Sequence, residues 1–399
     1  MGSIESYETR RGRRYRVRYR DPERRERSKS GFRTKREAEA FQATVAVAVS
    51  SGSYIDPGDA RQTVGRLGPE WLAAQAHLKP SSHAVLETAW RVYVEPRWRE
   101  TEIGRIRHSD VQAWVGELMR GTAPSVHPKH PLGATSVIRA YGVLASILDT
   151  AVRDRRIAAN PSRGVNLPRK PKKRHAYLGH QQVELLARCA GDEKAPLVRF
   201  LCYTGLRWGE ATALRVRDID LPRRRIVVNE NAVRVGGRII VGTPKSHHAR
   251  SVSMPLFLQQ EIAAACANKS VDALVFGDGT AHLNQPTLKG GWFTQAVARA
   301  RRADPTFPQP TIHDLRHTAA SLAVSAGANV KAVQRMLGHA SAAMTLDVYA
   351  DLFDEDLDAV SAALDQARAA EVVRFLCDFP AHEVPRASRL PRSSGEVGP

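Results

Sequence analysis

The sequence predicts a multidomain chain that is mainly α-helical with small β-sheets. Its 399 residues correspond to about 2.7 domains at roughly 150 residues each. Hydrophobic residues make up 42% and charged residues 25%, a balance that supports buried cores. The hydrophobic period also changes along the chain, from alternating to helical and then to a mixture, with Gly/Ser-rich and Pro-rich breaks between. The cysteines, Cys189, Cys202, Cys266 and Cys377, are scattered without a C-x-x-C pair. A disulfide framework or cysteine-rich zinc site is therefore excluded as the organising principle. The sequence shows neither an apolar run of about 18 residues nor a charged-then-apolar leader, so the chain is expected to stay in the reducing cytoplasm, with no membrane partner.

The first module is read from its charge. The chain carries 60 Lys and Arg against 41 Asp and Glu, a net charge of +19, which suits a polyanion and most simply nucleic acid. The stretch from Arg10 to Arg36 alone holds 14 basic and 3 acidic residues, or +11. Within it, Tyr15-Arg16-Val17-Arg18-Tyr19-Arg20 alternates basic with aromatic or β-branched residues, the period of a strand. Asp21-Pro22 marks a turn, and Arg27 to Phe32 reads as the return strand. Thr34, with Glu37 three residues on, forms a capping box that opens a helix through Ala38, Ala40 and Phe41. Residues 1–55 are thus expected to form a small sheet on one helix, with one Arg-rich face. Arg13, Arg14, Arg16, Arg18 and Arg20 are its candidate DNA contacts.

Ser50 to Gly58 is a loop by composition. The second module, residues 62–165, is helical. Segments begin at Trp71-Leu72 and run from Ala84 to Val94. Ser109 is the expected cap of a third, through Val111, Trp114, Val115 and Leu118. The longest helix, Ala134 to Arg153, carries Val137, Tyr141, Leu144, Ile147, Leu148 and Val152 on one face. Asn160-Pro161 stops it. Residues 166–176 form a basic, Pro-punctuated linker in which Lys172 and Lys173 are candidate backbone contacts.

The third module, residues 177–370, mixes helices with a little sheet. Helices are expected over Gln181–Cys189, Pro196–Tyr203, Leu256–Ala267, Trp292–Arg302, His313–Ala326, Val330–Leu337 and Met344–Tyr349. Ile226-Val227-Val228 and Arg238 to Val241 flank Gly236-Gly237, a hairpin signal, and Arg250 to Met254 is a third short strand. Residues 371–399 are expected to be a disordered Pro/Ser/Arg tail.

Four islands in this module collect the reactive side chains: Thr204 to Glu210, Thr243 to Ser246, His313 to His317, and Leu337-Gly338-His339 with Met344 to Tyr349. Paired arginines can clamp the non-bridging oxygens of a phosphodiester. Such a clamp neutralises charge developing in a pentavalent transition state. Histidine can act as base or donor, a hairpin lysine can protonate a leaving oxygen, and a tyrosine can be the nucleophile. No carboxylate cluster or set with metal spacing accompanies them, so no metal and no cofactor is expected. His247 and His248 are adjacent and would point to opposite faces of a strand.

Together the islands read Thr-Gly-Leu-Arg-x-x-Glu, hairpin Lys, His-x-x-Arg-His, Leu-Gly-His, Tyr. In this order they resemble the tyrosine recombinases, the phage-integrase family, over about Tyr177 to Asp351. The resemblance implies that Arg207 and Arg316 hold the scissile phosphate, with Glu210 supporting. Lys245 would be the general acid for the 5′-hydroxyl, and His313 an acid/base or phosphate ligand. His339 would complete the pocket, and Tyr349 would attack to give a 3′-phosphotyrosyl link. The helical module resembles the family's core-binding domain, and the first module the arm-binding domain of phage and mobile-element integrases. The implied function is a site-specific DNA integrase of a bacterial host, nucleoid-associated, working as a homotetramer on core-type and arm-type sites through a Holliday junction. It leaves room for an excisionase and a DNA-bending protein. A chromosome-dimer or plasmid resolvase of the same chemistry is the rival that the N-terminal module argues against. A non-catalytic DNA-binding regulator on the same scaffold is the rival that the full residue set argues against.

Overall fold

The computed structural model describes residues 2–126, 130–171, 175–244, 249–346, 361–362, 364–369 and 371–372. The chain divides into two compact units, Met1–Lys173 with Arg234–Ile240, and Arg174–Val233 with Val241–Pro399.

The first unit opens with an antiparallel sheet in the order β1 (Ser3–Thr9), β2 (Gly12–Arg20), β3 (Glu26–Phe32). Alternation predicts β2, and the Asp21-Pro22 turn predicts its return strand β3. The structure adds β1, whose apolar Ile4 and Tyr7 stand three residues apart and so give no strand period. Helix α1 (Lys35–Ser50) follows, and Thr34 Oγ1 accepts from the Glu37 N–H at 3.1 Å. The Glu37 carboxylate reaches back to the Arg33 N–H at 2.8 Å, one residue beyond a standard capping box. Val17 and Tyr19 of β2 pack with Ala38, Phe41 and Val45 of α1. Because strand side chains alternate, Arg14, Arg16, Arg18 and Arg20 share the opposite, open face.

The helices of this unit are α2 (Val64–Ala73), α3 (Pro80–Ala89), α4 (Glu95–Trp98), α5 (His108–Arg120) and α6 (Ala134–Arg153). A π-helical turn, Trp90–Val94, joins α3 to α4 and buries Trp90, Val92 and Val94 together. Pro80 starts α3 at a first-turn position, where its missing N–H costs nothing. Ser109 is not the cap of α5. Arg107 occupies that position, and its N–H is satisfied by the Asp110 carboxylate at 3.0 Å. Helix α6 has the length and apolarity of a membrane span. Yet Val137, Leu144, Ile147 and Leu148 on it are buried in one core with Trp71, Trp98 and Trp114, so its apolar face already has a protein partner.

The second unit contains α7 (His180–Ala190), α8 (Ala195–Thr204), α9 (Trp208–Ala211), β4 (Ile219–Asp220), β5 (Arg225–Val228) and β8 (Arg250–Ser253), with the start of β6 (Asn231–Val235) and the end of β7 (Arg238–Gly242), whose connecting tip, Arg234–Ile240, counts with the first unit. Helices α10 (Gln259–Cys266), α11 (Trp292–Ala303), α12 (Asp314–Ser325) and α13 (Val330–Leu337) complete the named elements. The expected hairpin is corrected. Across Gly236-Gly237, β7 pairs with β6, whereas β5 sits between β4 and β8 in a separate sheet. Ile226 and Val228 of β5 are fully buried, but Ile240 and Val241 of β7 are exposed. β-branched content alone does not choose a strand's partner. The core of the unit joins Leu186, Phe200, Ile226, Val252, Phe293 and Leu315. A smaller cluster of Ala320, Val324, Val333 and Leu337 locks α12 to α13. Residues 342–346 are helical, as are those described between 361 and 372.

Candidate active site

The site is built where helices end. Helix α8 stops at Gly205, which takes the left-handed conformation with φ +66°. A Cβ there would lie 2.8 Å from Leu337 Cδ2, so glycine is required by both the turn and the close approach of α13. Two residues on, Arg207 is the extended N-cap of α9. The carboxylate of Glu210 accepts from the Arg207 N–H at 3.0 Å and from Arg207 Nη1 at 2.8 Å.

Glu210 is completely buried. Burial alone would raise its pKa, but the hydrogen bonds and charge of Arg250, helped by Arg207, hold it at about 2. Arg250 Nη1 and Nη2 donate to Glu210 Oε1 and Oε2 at 3.1 and 2.6 Å, a two-pronged pairing. This arginine, at the start of β8, was not among the sequence candidates. Only its place just after the hairpin lysine segment could have pointed to it.

The His-x-x-Arg-His island forms the first turn of α12. The Asp314 carboxylate accepts from the Thr311 N–H and Oγ1 at 2.8 and 2.7 Å, fixing the helix start. Arg316 is 3% exposed. Its Nη1 donates to the Gly205 carbonyl at 2.6 Å and its Nη2 to the Leu337 carbonyl at 2.5 Å. One guanidinium thus ties the end of α8 to the end of α13. His313 is exposed at the N-cap, and its ring meets His317 edge-on at 5.0 Å.

Helix α13 ends in a Schellman turn: the His339 N–H bonds the Gln334 carbonyl and the Gly338 N–H the Arg335 carbonyl, at 3.1 and 3.2 Å. Gly338 has φ +65°, and a Cβ on it would lie 2.9 Å from Arg250 Cδ and Nε. His339 is then aimed so that its Nδ1 meets the buried Thr345 Oγ1 at 3.0 Å. Burial lowers the His339 pKa to about 4, with further lowering from Arg316, Arg207, Arg250 and His313 in that order. The ring is therefore neutral at pH 7 and surrounded by positive charge, an environment that favours an incoming anion.

The structure thus gathers Arg207, Glu210, Arg316, His313 and His339 from three separate stretches of sequence. Lys245, Tyr349, Lys172 and Lys173 lie outside the described residues, as do His247 and His248. Lys269, Tyr141 and Tyr203, a lysine and two tyrosines outside the motif islands' catalytic positions, are engaged in other hydrogen bonds. Lys269 Nζ donates to the carbonyls of Leu274, Val275 and Gly277 at 3.2, 2.7 and 3.0 Å. The Tyr141 hydroxyl donates to the Ser162 carbonyl at 2.7 Å, and Tyr203 Oη pairs with His180 Nδ1 at 2.8 Å.

Sequence reasoning also missed His175, whose Nδ1 lies 3.3 Å from Asp314 Oδ1 and whose ring stacks on His317 at 3.8 Å. Among the described residues, His175, Asp314 and His317 form the one group whose donor atoms, all within 4.8 Å of one another, could hold a metal ion. Burial, then the neighbouring His175 and His313, lower the His317 pKa to about 3.

On the open face of the N-terminal sheet, the Arg16 guanidinium lies over the Tyr7 ring at 5.3 Å. Arg18 faces Glu5 and Glu26 at 3.3 and 3.7 Å. Arg13 departs from the expected set: its parity places it on the helix side of the sheet, at the exposed strand end, with Nη2 donating to Ser6 Oγ at 3.2 Å.

Residues 176–356 match the family model described as the phage integrase family. The integrase of Mycobacterium phage D29 is 25% identical over 324 residues, covering 78% of this chain and 82% of that protein. Among solved structures, a Tn1549 transposon integrase in complex with transposon right end DNA aligns with TM-score 0.60 at 23% identity, covering 75% of this chain and all of that one. A lambda integrase tetramer bound to a Holliday junction aligns with TM-score 0.52 at 17% identity, covering 84% and 95%. With the islands in family order and their arginines and histidines brought to one site, residues 176–356 form a domain of the phage-integrase family, the tyrosine-type site-specific DNA recombinases.

Proposed function

We propose that the chain integrates and excises a phage or mobile element by cutting and rejoining DNA through a 3′-phosphotyrosyl intermediate. The single observation that carries this reading is the pair of arginines brought to one place, Arg316 holding the Gly205 and Leu337 carbonyls and Arg207, two residues past Gly205, held on Glu210. A pocket of that charge, built on buried hydrogen bonds, suits a phosphodiester and its more negative transition state.

In this mechanism Arg207 and Arg316 bind the non-bridging oxygens. Tyr349 Oη attacks phosphorus as its proton passes to His313 or to solvent, the bond from phosphorus to the 5′-oxygen breaks, and Lys245 delivers the proton that makes the 5′-hydroxyl. One phosphoester replaces another, so the reverse attack by a 5′-hydroxyl of the partner duplex reseals the strand without an external energy source. His313 donates to the phosphate or moves a proton. His339, neutral and held by Thr345, offers its other ring nitrogen to the phosphate.

DNA is the partner. Residues 62–165 and 177–370 would grip core-type sites, with Lys172 and Lys173 of linker 166–176 along the backbone. Residues 1–55 would bind arm-type sites through Arg14, Arg16, Arg18 and Arg20, with Arg13 at the exposed end of β2. As with the lambda integrase tetramer on its Holliday junction, four copies would assemble on two duplexes, with an excisionase and a DNA-bending protein setting direction. The place of action is the cytoplasm of a bacterial host, at the nucleoid.

The test uses a nicked core-site duplex that traps the covalent complex. The wild-type chain is expected to accumulate a protein–DNA adduct, and Tyr349→Phe to bind the duplex equally but form none. An adduct that persists in Tyr349→Phe would overturn the nucleophile assignment.

A further inference from the structure

We infer that Arg250 is a positioning residue for strand cleavage, which frees Arg207 for the phosphate and sets the turn that aims His339. The inference rests on the recombinase reading above and extends it to a residue outside the expected set.

The chemistry begins with Glu210. A carboxylate removed from water needs most of its lone pairs satisfied. Arg207 supplies one side-chain donor, Nη1, and one backbone N–H. Arg250 supplies the other two side-chain donors, one to each oxygen. Without Arg250, Glu210 would face Arg207 alone. The pair would then be neutral, and the carboxylate would draw the rest of the Arg207 fork inward. With Arg250 the three groups sum to one positive charge. Among the described residues, Glu210 is the only side chain that Arg207 bonds, so its remaining N–H groups stay available to a ligand.

The second half of the role lies at α13. Arg250 Nε points at the Met336 carbonyl at 3.4 Å. The arginine stem lies beneath Gly338, where even a methyl group would collide with Cδ and Nε. His339 follows directly. Arg250 therefore joins the α8–α9 junction, which carries Arg207, to the end of α13, which carries His339. Arg316 makes the same connection through Gly205 and Leu337. Arg316 ties the two regions through backbone carbonyls and Arg250 through the Glu210 carboxylate and the Met336 carbonyl, so the phosphate clamp and the histidine are held in one frame. The charged groups facing Glu210 are Arg207 from its own turn and Arg250 from β8, with His339 beyond them.

The experiment compares wild type, Arg250→Lys, Arg250→Met and Arg250→Met/Glu210→Gln in the full chain. Core-site binding is read by gel shift, single-turnover cleavage on the nicked duplex from pH 5 to pH 8, and folding by thermal melting. Arg250→Met is expected to bind DNA within about threefold of wild type and to cleave at least about tenfold more slowly. It should also gain an acid limb absent from wild type, because Glu210 would then take up a proton at mildly acidic pH. Arg250→Lys keeps the charge but not the fork and should recover part of the rate. The double variant removes both buried charges and should restore melting without restoring cleavage. Wild-type rate and pH profile in Arg250→Met, or full cleavage in the double variant, would overturn the inference. Absence of any adduct in the wild-type control would instead defeat the recombinase reading itself.

Discussion

Arginine is used in opposite ways at the two ends of this chain. In the N-terminal sheet, Arg14, Arg16, Arg18 and Arg20 line an open face, and their partners are an aromatic ring, surface carboxylates and a backbone carbonyl. Exposed pairs of this kind are worth little to stability. Their value is a dense positive field whose DNA affinity falls with salt. In the catalytic unit, Arg316 and Arg250 are enclosed, and their hydrogen bonds go to carbonyls at helix ends and to a buried glutamate. These arginines shape the backbone before any DNA arrives. The contrast teaches that a net charge of +19 is not one property: part of it attracts, and part of it holds geometry.

Substitutions at both ends can break that contrast. The largest effect is expected from Arg316→Ala, which strands the Gly205 and Leu337 carbonyls. It should lower the stability of the catalytic unit by about 3 kcal/mol in denaturant titration and abolish cleavage. A loss of cleavage with unchanged stability would mean that Arg316 acts on the phosphate alone.

Glu210 gives a pH signature of similar size. Its folded pKa of about 2 lies below the ordinary 4.5. The stabilisation is therefore fully present above pH 4.5 and is lost as pH falls towards 2, by about 3 kcal/mol in total. Glu210→Gln should remove that part of the acid dependence when unfolding free energy is measured against pH.

Gly338→Ala combines a left-handed backbone with a collision against Arg250. It should cost about 2 kcal/mol and slow cleavage while leaving core-site binding intact. The smallest effect on stability is expected from Arg16→Ala, under about 1 kcal/mol. That variant should nevertheless reduce the slope of log affinity against log salt by about 1 for arm-type DNA. A stability loss as large as that of Arg316→Ala would erase the distinction between the two ends.

The legible parts of the sequence were those with local signatures. The alternation from Tyr15 to Arg20 gave β2, the spacing of Val137 to Leu148 gave α6, and each motif island announced itself within a few residues. Long-range pairings were not legible. Arg250 is one of 60 basic residues, and its partner Glu210 lies 40 positions away, so no local period marks it. The same holds for His175 and Asp314, 139 positions apart. Strand partnership failed for a related reason. Ile226 to Val228 and Arg238 to Val241 have alike compositions, but only the first faces the core, and burial is a property of the fold rather than of the segment. Glu210 shows the intermediate case: the motif placed it beside Arg207, and the structure added that it also orients Arg250.

The most direct test of the account is to digest the covalent complex formed on a nicked core-site duplex and map the modified peptide by mass spectrometry. The account predicts a single adduct, a 3′-phosphate esterified to Tyr349. Linkage to another residue such as Tyr203 or Tyr177, or a 5′-phosphate linkage, would contradict it.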